Sequence, residues 1–596
     1  MKGIMANGVR NLYETGVVPP ESDCVTVLDL LRRQVRRRPT NFACVVVDRD
    51  GREKETITYG GLDRRARAVA RHLQDLGIAP GERALLAFPS GIDFIVSLFA
   101  CAYAGIVAVP VPFPGEGGGT SGVTRLTSIV ADATPSAVLT TDDIADRPEE
   151  YDLSGVRAIA VAAVNDELAD DFRDPVGEYD VDSPVFMQYT SGSTSNPKGV
   201  IVCHGNVLAN VRDIFTTIPV EVPDDGLRCV SWLPLFHDMG LAQVLVTVFG
   251  GGMIVLLRPT SFLLRPGLWL EMITRYRAHF CTSPNFGYDL CSQRVTAEQR
   301  SRLDLSSWLF ALNGSEPVRV ETLDLFTRTF AEAGFDPESF VPCYGLAEGT
   351  FFVSGGRGIP RSLTISVSAI EREGIIRPPA VGEPQRSVVS CGPVASSIDV
   401  RLVQAGTGRD CEAGQVGEIW VAGDNVSPGY WRRNDERFAS RLNGSPAKSH
   451  FRTGDLGFMH DGELYILGRY DDVIVLAGRN HYPQDIELTV QLSHGALAAG
   501  RVAAFSYPRD GETVVAVVAE TARKIRVGVT GESAADGFLD RAEVIGKVRA
   551  AVSREHNLRL GEVILLRPTG LPRTTSGKVQ RRLCRELFLT NRLKKW

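Results

Sequence analysis

Between Thr58 and Pro110 helix patterns alternate with short apolar strands, and that alternation restricts the fold more than any other feature. Thr58 and Tyr59 open an amphipathic helix. Leu62, Ala66, Val69, Leu73 and Leu76 share one stripe, with Arg64, Arg65, Arg67 and Arg71 on other faces. Gly77 reads as its C-cap. A strand Ala84-Leu85-Leu86-Ala87-Phe88, an apolar helix from Ile92 and a strand Ile106-Val107-Ala108-Val109 follow. Strands and helices at this spacing predict an α/β fold, a mostly parallel sheet with helices on both faces. The apolar run Phe94 to Val109 resembles a membrane span only briefly. Gly105 and Pro110 interrupt it, and Ser97, Cys101 and Tyr103 dilute it, so it reads as a buried helix entering a buried strand. Further strands are expected at Ala137–Leu139, Ala158–Ala160, Val185–Met187, Cys229–Trp232, Met253–Leu256 and Trp308–Ala311.

The texture changes after about residue 395. Ile398–Val403, Val416–Val421 and Leu464–Leu467 read as strands of a small antiparallel region, with Asp461-Gly462 as a hairpin turn. Beyond Gly468 a small α+β unit is expected. It has a strand at Val473–Leu476, a hairpin at Arg509-Asp510-Gly511, a helix over Arg541–Glu555 and a final loop from Leu571 to Lys578. The predicted division is 1–468 and 469–596, after an irregular lead-in over 1–25. A chain of 596 residues, 44% hydrophobic, has the material for more than one such core. A net charge of −6 predicts no nucleic-acid partner. Eleven cysteines without a C-x-x-C pair, and no basic-then-apolar leader, predict reduced thiols, a cytoplasmic location and no zinc module. Only nine of the 65 basic residues are Lys, which makes Lys198 and Lys578, both in glycine-rich loops, stand out.

Lys198 ends Tyr189-Thr190-Ser191-Gly192-Ser193-Thr194-Ser195-Asn196-Pro197-Lys198-Gly199-Val200, directly after the apolar Val185-Phe186-Met187. A flexible loop rich in N–H and O–H donors with one cation suits a polyphosphate. A hydroxyl-rich run also suits a plain solvated loop, and the Walker spacing is absent. Trp232-Leu233-Pro234-Leu235-Phe236-His237-Asp238-Met239-Gly240 sets a His and an Asp among apolar residues, where a satisfied core histidine is the plainer reading. Asn313-Gly314-Ser315-Glu316-Pro317 and Tyr344-Gly345-Leu346-Ala347-Glu348 each pair a glycine with a carboxylate. The aromatic suits stacking on a flat base and the carboxylate suits Mg²⁺, although helix caps would look alike. Arg452-Thr453-Gly454-Asp455-Leu456-Gly457 reads as a turn whose acid suits a ribose diol.

Together and in this order, from Thr58 to about Arg582, these clusters resemble the adenylate-forming superfamily of acyl-CoA synthetases, peptide-synthetase adenylation domains and luciferases. Within it the chain looks most like the fatty acyl-AMP ligases. That choice rests on Gly478-Arg479-Asn480-His481-Tyr482-Pro483-Gln484-Asp485-Ile486-Glu487 and on a polar segment at about 350–392, in the position of the insertion that sets these ligases apart. Without the resemblance the segment reads as a surface loop.

The resemblance implies activation of a medium- or long-chain fatty acid by ATP with Mg²⁺. The acyl group of the acyl-AMP then passes to the phosphopantetheine thiol of a separate acyl carrier protein, since the chain holds no carrier segment. It implies phosphate contacts from Thr190, Ser191, Gly192, Ser193, Thr194 and Lys198. Glu348 would be the Mg²⁺ ligand, Tyr344 and Gly345 would lie against adenine beside Asn313, Gly314, Ser315 and Glu316, and Asp455 and Arg469 would hold the ribose. His237 would stand at the carboxylate entrance, Lys578 would be the catalytic lysine and Asp471 the hinge, with the boundary near 469–472. The stretch Phe236–Val248 and the strand Met253–Leu257 would line an acyl tunnel. The chain departs from these ligases at Asp471, which CoA-using relatives usually carry, and at Lys198 and Cys203. A long-chain fatty-acid–CoA ligase is the alternative. An inactive sensor has no chemical reason to keep Lys578, Glu348 and Asp455, and a peptide-synthetase domain would place an Asp in the apolar pocket region.

Overall fold

The stripe from Leu62 to Leu73 becomes the buried face of helix Tyr59–Asp75, whose Leu62, Ala66, Val69 and Leu73 are almost fully covered. Thr58 caps it by accepting the Gly61 N–H, and Gly77 takes φ +74° just past its end. In this computed structural model all residues are described except 1–8, 12–23, 115–118, 154, 176–178, 191–196, 219–220, 443–444, 477–478, 510–511, 523–525, 529–537, 575–577 and 594–596. Within the expected irregular lead-in, Val9–Asn11 forms a short strand against Glu221–Pro223.

The expected α/β strands divide between two sheets. One holds, in order, Arg157–Ala160, Ala137–Thr140, Arg83–Ala87, Val107–Pro110, Pro184–Thr190 and Lys198–Cys203, parallel except at the last pair. The other runs Ser354–Gly355, Phe340–Tyr344, Phe310–Asn313, Phe280–Ser283, Arg228–Ser231, Met253–Leu256, Phe42–Val47 and Glu53–Thr58, parallel in its centre. The strand expected at Trp308–Ala311 lies two residues later. Trp308 instead packs edge-on against Trp269 and Phe326 in the core. Helix Ile92–Tyr103 is buried along nearly its whole length, and among the described residues no helix is long and apolar enough to cross a membrane.

The third sheet is antiparallel, with the path Ser362–Ser366, Gln385–Pro393, Glu463–Arg469, Ser445–His460, Gly417–Ala422 and Asp399–Val403. Asp461 (φ +49°) and Gly462 (φ +79°) make the expected tight turn between Ser445–His460 and Glu463–Arg469. After Arg469 and the short turn Tyr470–Asp472, the chain builds a sheet of Leu497–Arg509, Glu512–Thr521 and Leu560–Leu566. Helices Pro483–Ser493 and Arg541–His556 cover it through Ile486, Val490, Val544 and Val548, and helix Arg581–Leu589 contributes Cys584 to a second small core. The hairpin tip at Asp510-Gly511 lies outside the described residues, but Arg509 pairs with Glu512 across it.

The 350–392 segment is not a surface loop. It supplies the edge strand Ser362–Ser366 of the antiparallel sheet, its neighbour Gln385–Pro393 and the helix Val367–Glu373 between them. Ile365, Ile370 and Val388 are buried with Leu456, Phe458, Leu467 and Tyr482. Polar side chains hid this pattern because they reach the small C-terminal unit. Glu371 meets the buried His481 Nδ1 at 2.7 Å. Arg386 pairs with Asp485 at 2.8 Å and lies over the Tyr482 ring. Burial pushes the Asp485 carboxyl up to about 6 against the opposing charge of Arg386, with Glu371 and Glu487 adding to the rise. A carboxyl raised in the folded state favours folding as pH falls from 6 towards its unfolded value near 4. Thermal melts of the wild type and Asp485→Asn should therefore diverge in the wild type's favour between pH 7 and pH 4.5. A constant difference would refute this assignment.

Candidate active site

In open parallel sheets ligands bind outside the carboxyl ends of the strands, and several of the candidate residues lie there. Thr190 ends one strand, Asn313 another and Tyr344 a third, while His237 follows Arg228–Ser231 by a short loop. A cleft of about 1740 Å³ opens there, and the small C-terminal unit forms its opposite wall. Thr190, Lys198, His237, Ser315, Glu316, Tyr344, Gly345, Glu348, Asp455, Arg469, Asp471 and Lys578 all line it. Ser191, Gly192, Ser193 and Thr194 lie outside the described residues. Asn313 lies behind the wall, fully buried, donating to Asn285 at 3.2 Å, and Gly314 faces a second, apolar cavity.

Thr190 and Lys198 are cross-strand partners at the base of the hydroxyl-rich loop. Lys198 Nζ lies 3.1 Å from Asp435 and 4.9 Å from the centre of the Tyr430 ring. Burial opposes ionisation of Asp435, yet hydrogen bonds from Arg437 and Lys198 hold its carboxyl well below the usual range. The group Tyr430, Asp435 and Arg437 escaped the sequence reading. Its only signal is an aromatic-then-charged run after Gly429.

The wall at Tyr344 turns on Gly345. A Cβ there would sit 1.7 Å from the Phe351 carbonyl oxygen, so no larger residue lets the chain turn back against itself. The Tyr344 hydroxyl donates to Asp455 at 2.6 Å, and burial followed by the Asp455 charge keeps that phenol protonated. Asp455 is not in a turn, as the sequence suggested. It lies within strand Ser445–His460, where the register against Gly417–Ala422 slips and Gly454 takes φ +73°. That bulge re-aims the carboxylate into the cleft. Arg469, its cross-strand partner, approaches at 3.3 Å and donates to the Thr453 carbonyl oxygen at 2.9 Å.

Glu348 lies on the short turn Ala347–Gly349 and accepts the Tyr430 hydroxyl, which itself accepts from Arg437 at 2.7 Å. Among the described residues no cluster of three or more His, Cys, Asp or Glu could hold a metal. One cleft carboxylate fits Mg²⁺ carried in on phosphates, since that ion keeps waters and takes one or two protein ligands. Lys578 is held near Thr574, whose N–H donates to the Lys578 carbonyl oxygen at 2.8 Å and whose hydroxyl accepts the Lys578 N–H at 3.0 Å. At the turn Tyr470–Asp472, Asp471 pairs with Arg582 at 2.9 Å and Asp472 with Arg581 at 3.1 Å.

The apolar cavity shares Met239, Ser315, Tyr344 and Gly345 with the cleft. Helix Asp238–Phe249 lines it, as expected for an acyl tunnel. The strand Met253–Leu257 does not; strands Phe280–Ser283 and Phe310–Asn313 take that place. In the sheet order Met253–Leu256 lies beyond Arg228–Ser231, on the side away from these two strands.

Polar groups converging from parallel strands onto a cleft backed by an apolar cavity define an enzyme that handles an amphipathic substrate. The chain belongs to the AMP-binding enzyme family, whose profile matches residues 31–431. It is 38% identical to a medium-chain-fatty-acid–[acyl-carrier-protein] ligase of Moorena producens (strain JHB), with 96% of each chain covered. It is 35% identical to a long-chain-fatty-acid–AMP ligase of Mycobacterium marinum (strain ATCC BAA-535 / M), covering 94% of this chain and 97% of that one. A crystal structure of fatty acyl-adenylate ligase from L. pneumophila, in complex with acyl adenylate and pyrophosphate, superposes with a TM-score of 0.72 at 35% identity, covering 95% of this chain and 96% of that one.

Proposed function

We propose that this enzyme activates a fatty acid with ATP and delivers the acyl group to the phosphopantetheine thiol of an acyl carrier protein. The observation that carries this reading is the shared mouth of cleft and apolar cavity at Met239, Ser315, Tyr344 and Gly345. It lets an acid lie with its tail in the core and its carboxylate in the cleft. The fatty-acid substrates in the names of the relatives agree with that arrangement.

In the first step a carboxylate oxygen attacks the α-phosphorus. The O–P bond forms, the bridge to the β-phosphate breaks, and pyrophosphate leaves with the electron pair. Such chemistry needs positioning and charge neutralisation more than covalent help. Thr190, Lys198 and the loop 191–196 bind the β- and γ-phosphates. Tyr344, Gly345 and the backbone at 313–316 hold adenine, and Asp455 with Arg469 holds the ribose. Glu348 would hold Mg²⁺, which would supply charge neutralisation at the phosphates. His237 borders the carboxylate, and Lys578 meets the charge that develops between carboxylate and α-phosphate. In the second step the thiol sulfur attacks the acyl carbon. A C–S bond forms, AMP leaves with the electrons of the C–O bond, and the thiol proton passes to solvent. Residues 1–468 form the adenylating part and 469–596 a mobile unit that pivots at Asp471 between the steps. The eleven free thiols agree with a reducing, cytoplasmic setting.

A fatty-acid–CoA ligase is the second reading, favoured by Asp471 and by the name of a relative, a putative fatty-acid–CoA ligase of Mycobacterium leprae (strain TN). Against it, the 350–392 segment grips the small unit through Glu371 and Arg386. Offering holo-carrier protein and CoA side by side decides between them by the thioester formed. Arg386→Ala should raise acyl-CoA formation on the order of tenfold, because a charge-assisted pair worth about 1.5–3 kcal/mol no longer opposes rotation. No gain in acyl-CoA would show that the segment does not select the acceptor.

A further inference from the structure

Resting on the acyl-activating reading, we infer that the apolar cavity takes a fatty acid of roughly eight to ten carbons. It is closed beyond that length by Phe215, Ile218 and Leu227.

The mouth is fixed by the residues shared with the cleft, among them Asp238 and Met239. From there helix Asp238–Phe249 runs along the cavity, and Ala242, Gln243 and Val246 face it in turn. The eight steps from Asp238 to Val246, at 1.5 Å each, measure a wall of about 12 Å. Past Val246 the way is shut. Phe249 packs on Phe215 with ring centres 4.8 Å apart. Phe215, Ile218 and Leu227 are 4%, 2% and 2% exposed, so they belong to the packed core.

The length of the wall sets the capacity: an extended chain advances about 3.6 Å per three bonds, so a 12 Å wall spans about ten bonds. The polar groups in the wall offer a chain terminus no charge partner. Gln243 donates to the Ser231 hydroxyl at 3.0 Å and accepts from the Cys229 thiol. Asp238, the only carboxylate in the described lining, lies at the mouth. A second carboxylate at the far end of the acid would be stranded, so dicarboxylic acids are excluded.

The test uses the full chain, ATP and a ladder of free fatty acids from six to eighteen carbons, with acyl-AMP measured by mass spectrometry. Within the fitting range each added methylene should raise kcat/KM about fourfold. The optimum should fall at eight to ten carbons, with hexadecanoate at least tenfold below it. Ala242→Phe, which fills the middle of the cavity, should move the optimum to six carbons or fewer. Leu227→Ala, which removes part of the floor, should move it two or more carbons longer. An optimum at fourteen carbons or beyond, or an unchanged profile in an Ala242→Phe enzyme that still melts like the wild type, would overturn the assignment. Adenylation of no acid on the ladder, with ATP still bound, would instead overturn the acyl-activating reading beneath it.

Discussion

Lys578→Ala is expected to lower acyl-adenylate formation by about 10²–10³-fold while ATP affinity changes little. The size follows from the loss of one preorganised donor aimed at developing charge. Affinity should persist because the other proposed ATP contacts, from Thr190 and Lys198 to Asp455 and Arg469, come from the opposite wall of the cleft. Lys578 is pinned through its backbone to Thr574, so the substitution removes the ammonium without unfastening the loop. Lys578→Arg should recover little, since a planar fork does not replace a compact charge at a fixed point. Transfer from preformed acyl-AMP to the carrier thiol should fall much less, because the bond to phosphorus already exists. Pyrophosphate exchange, equilibrium ATP binding and single-turnover transfer check the three parts separately. Near-normal exchange in Lys578→Ala would remove the lysine from the first step.

Local physics made the framework of this fold legible. Helix Tyr59–Asp75 announced itself through its buried stripe and the Thr58 cap, and Asp461-Gly462 through the backbone its turn requires. The clusters at 313–317 and 344–348 gained meaning only from their order along the chain, because each alone looks like a helix cap. Features that depend on distant partners were not legible. Asp455 read as a turn residue because the slipped register that presents it is set by Gly417–Ala422. Asp435, 237 positions beyond Lys198, becomes part of the cleft only through folding. The 350–392 segment read as a loop because its buried Ile365, Ile370 and Val388 are spaced irregularly among polar residues. At the apolar cavity the helix Asp238–Phe249 was legible and the strands were not, since a helix shows its own faces but not which strands it lies across.

Arg581→Ala is expected to damage both the small unit and the chemistry, and the two effects can be separated. Arg581 donates to both oxygens of Glu487, at 2.6 and 2.8 Å, and to Asp472 at 3.1 Å. It thereby joins helix Pro483–Ser493, the proposed hinge turn and the segment three residues beyond Lys578. The three side chains are 19%, 13% and 16% exposed. Removing the cation from such a pair costs about 3–5 kcal/mol, because charge is left without its partner. Burial already raises the Glu487 carboxyl against the pull of Arg581, and without the guanidinium it rises further. A carboxyl raised above its unfolded value favours folding as pH falls, so the stability deficit of Arg581→Ala should shrink below neutrality. Adding Glu487→Gln removes the stranded charge and should restore most of the melting temperature at pH 7, with Arg582 still 4.0 Å from Asp472. It does not restore the link to the Lys578 segment. The double variant should therefore be stable yet slow in adenylation, with kcat reduced and KM for ATP nearly unchanged. If activity returns together with stability, Arg581 serves the fold of the small unit alone; if only stability returns, it positions Lys578.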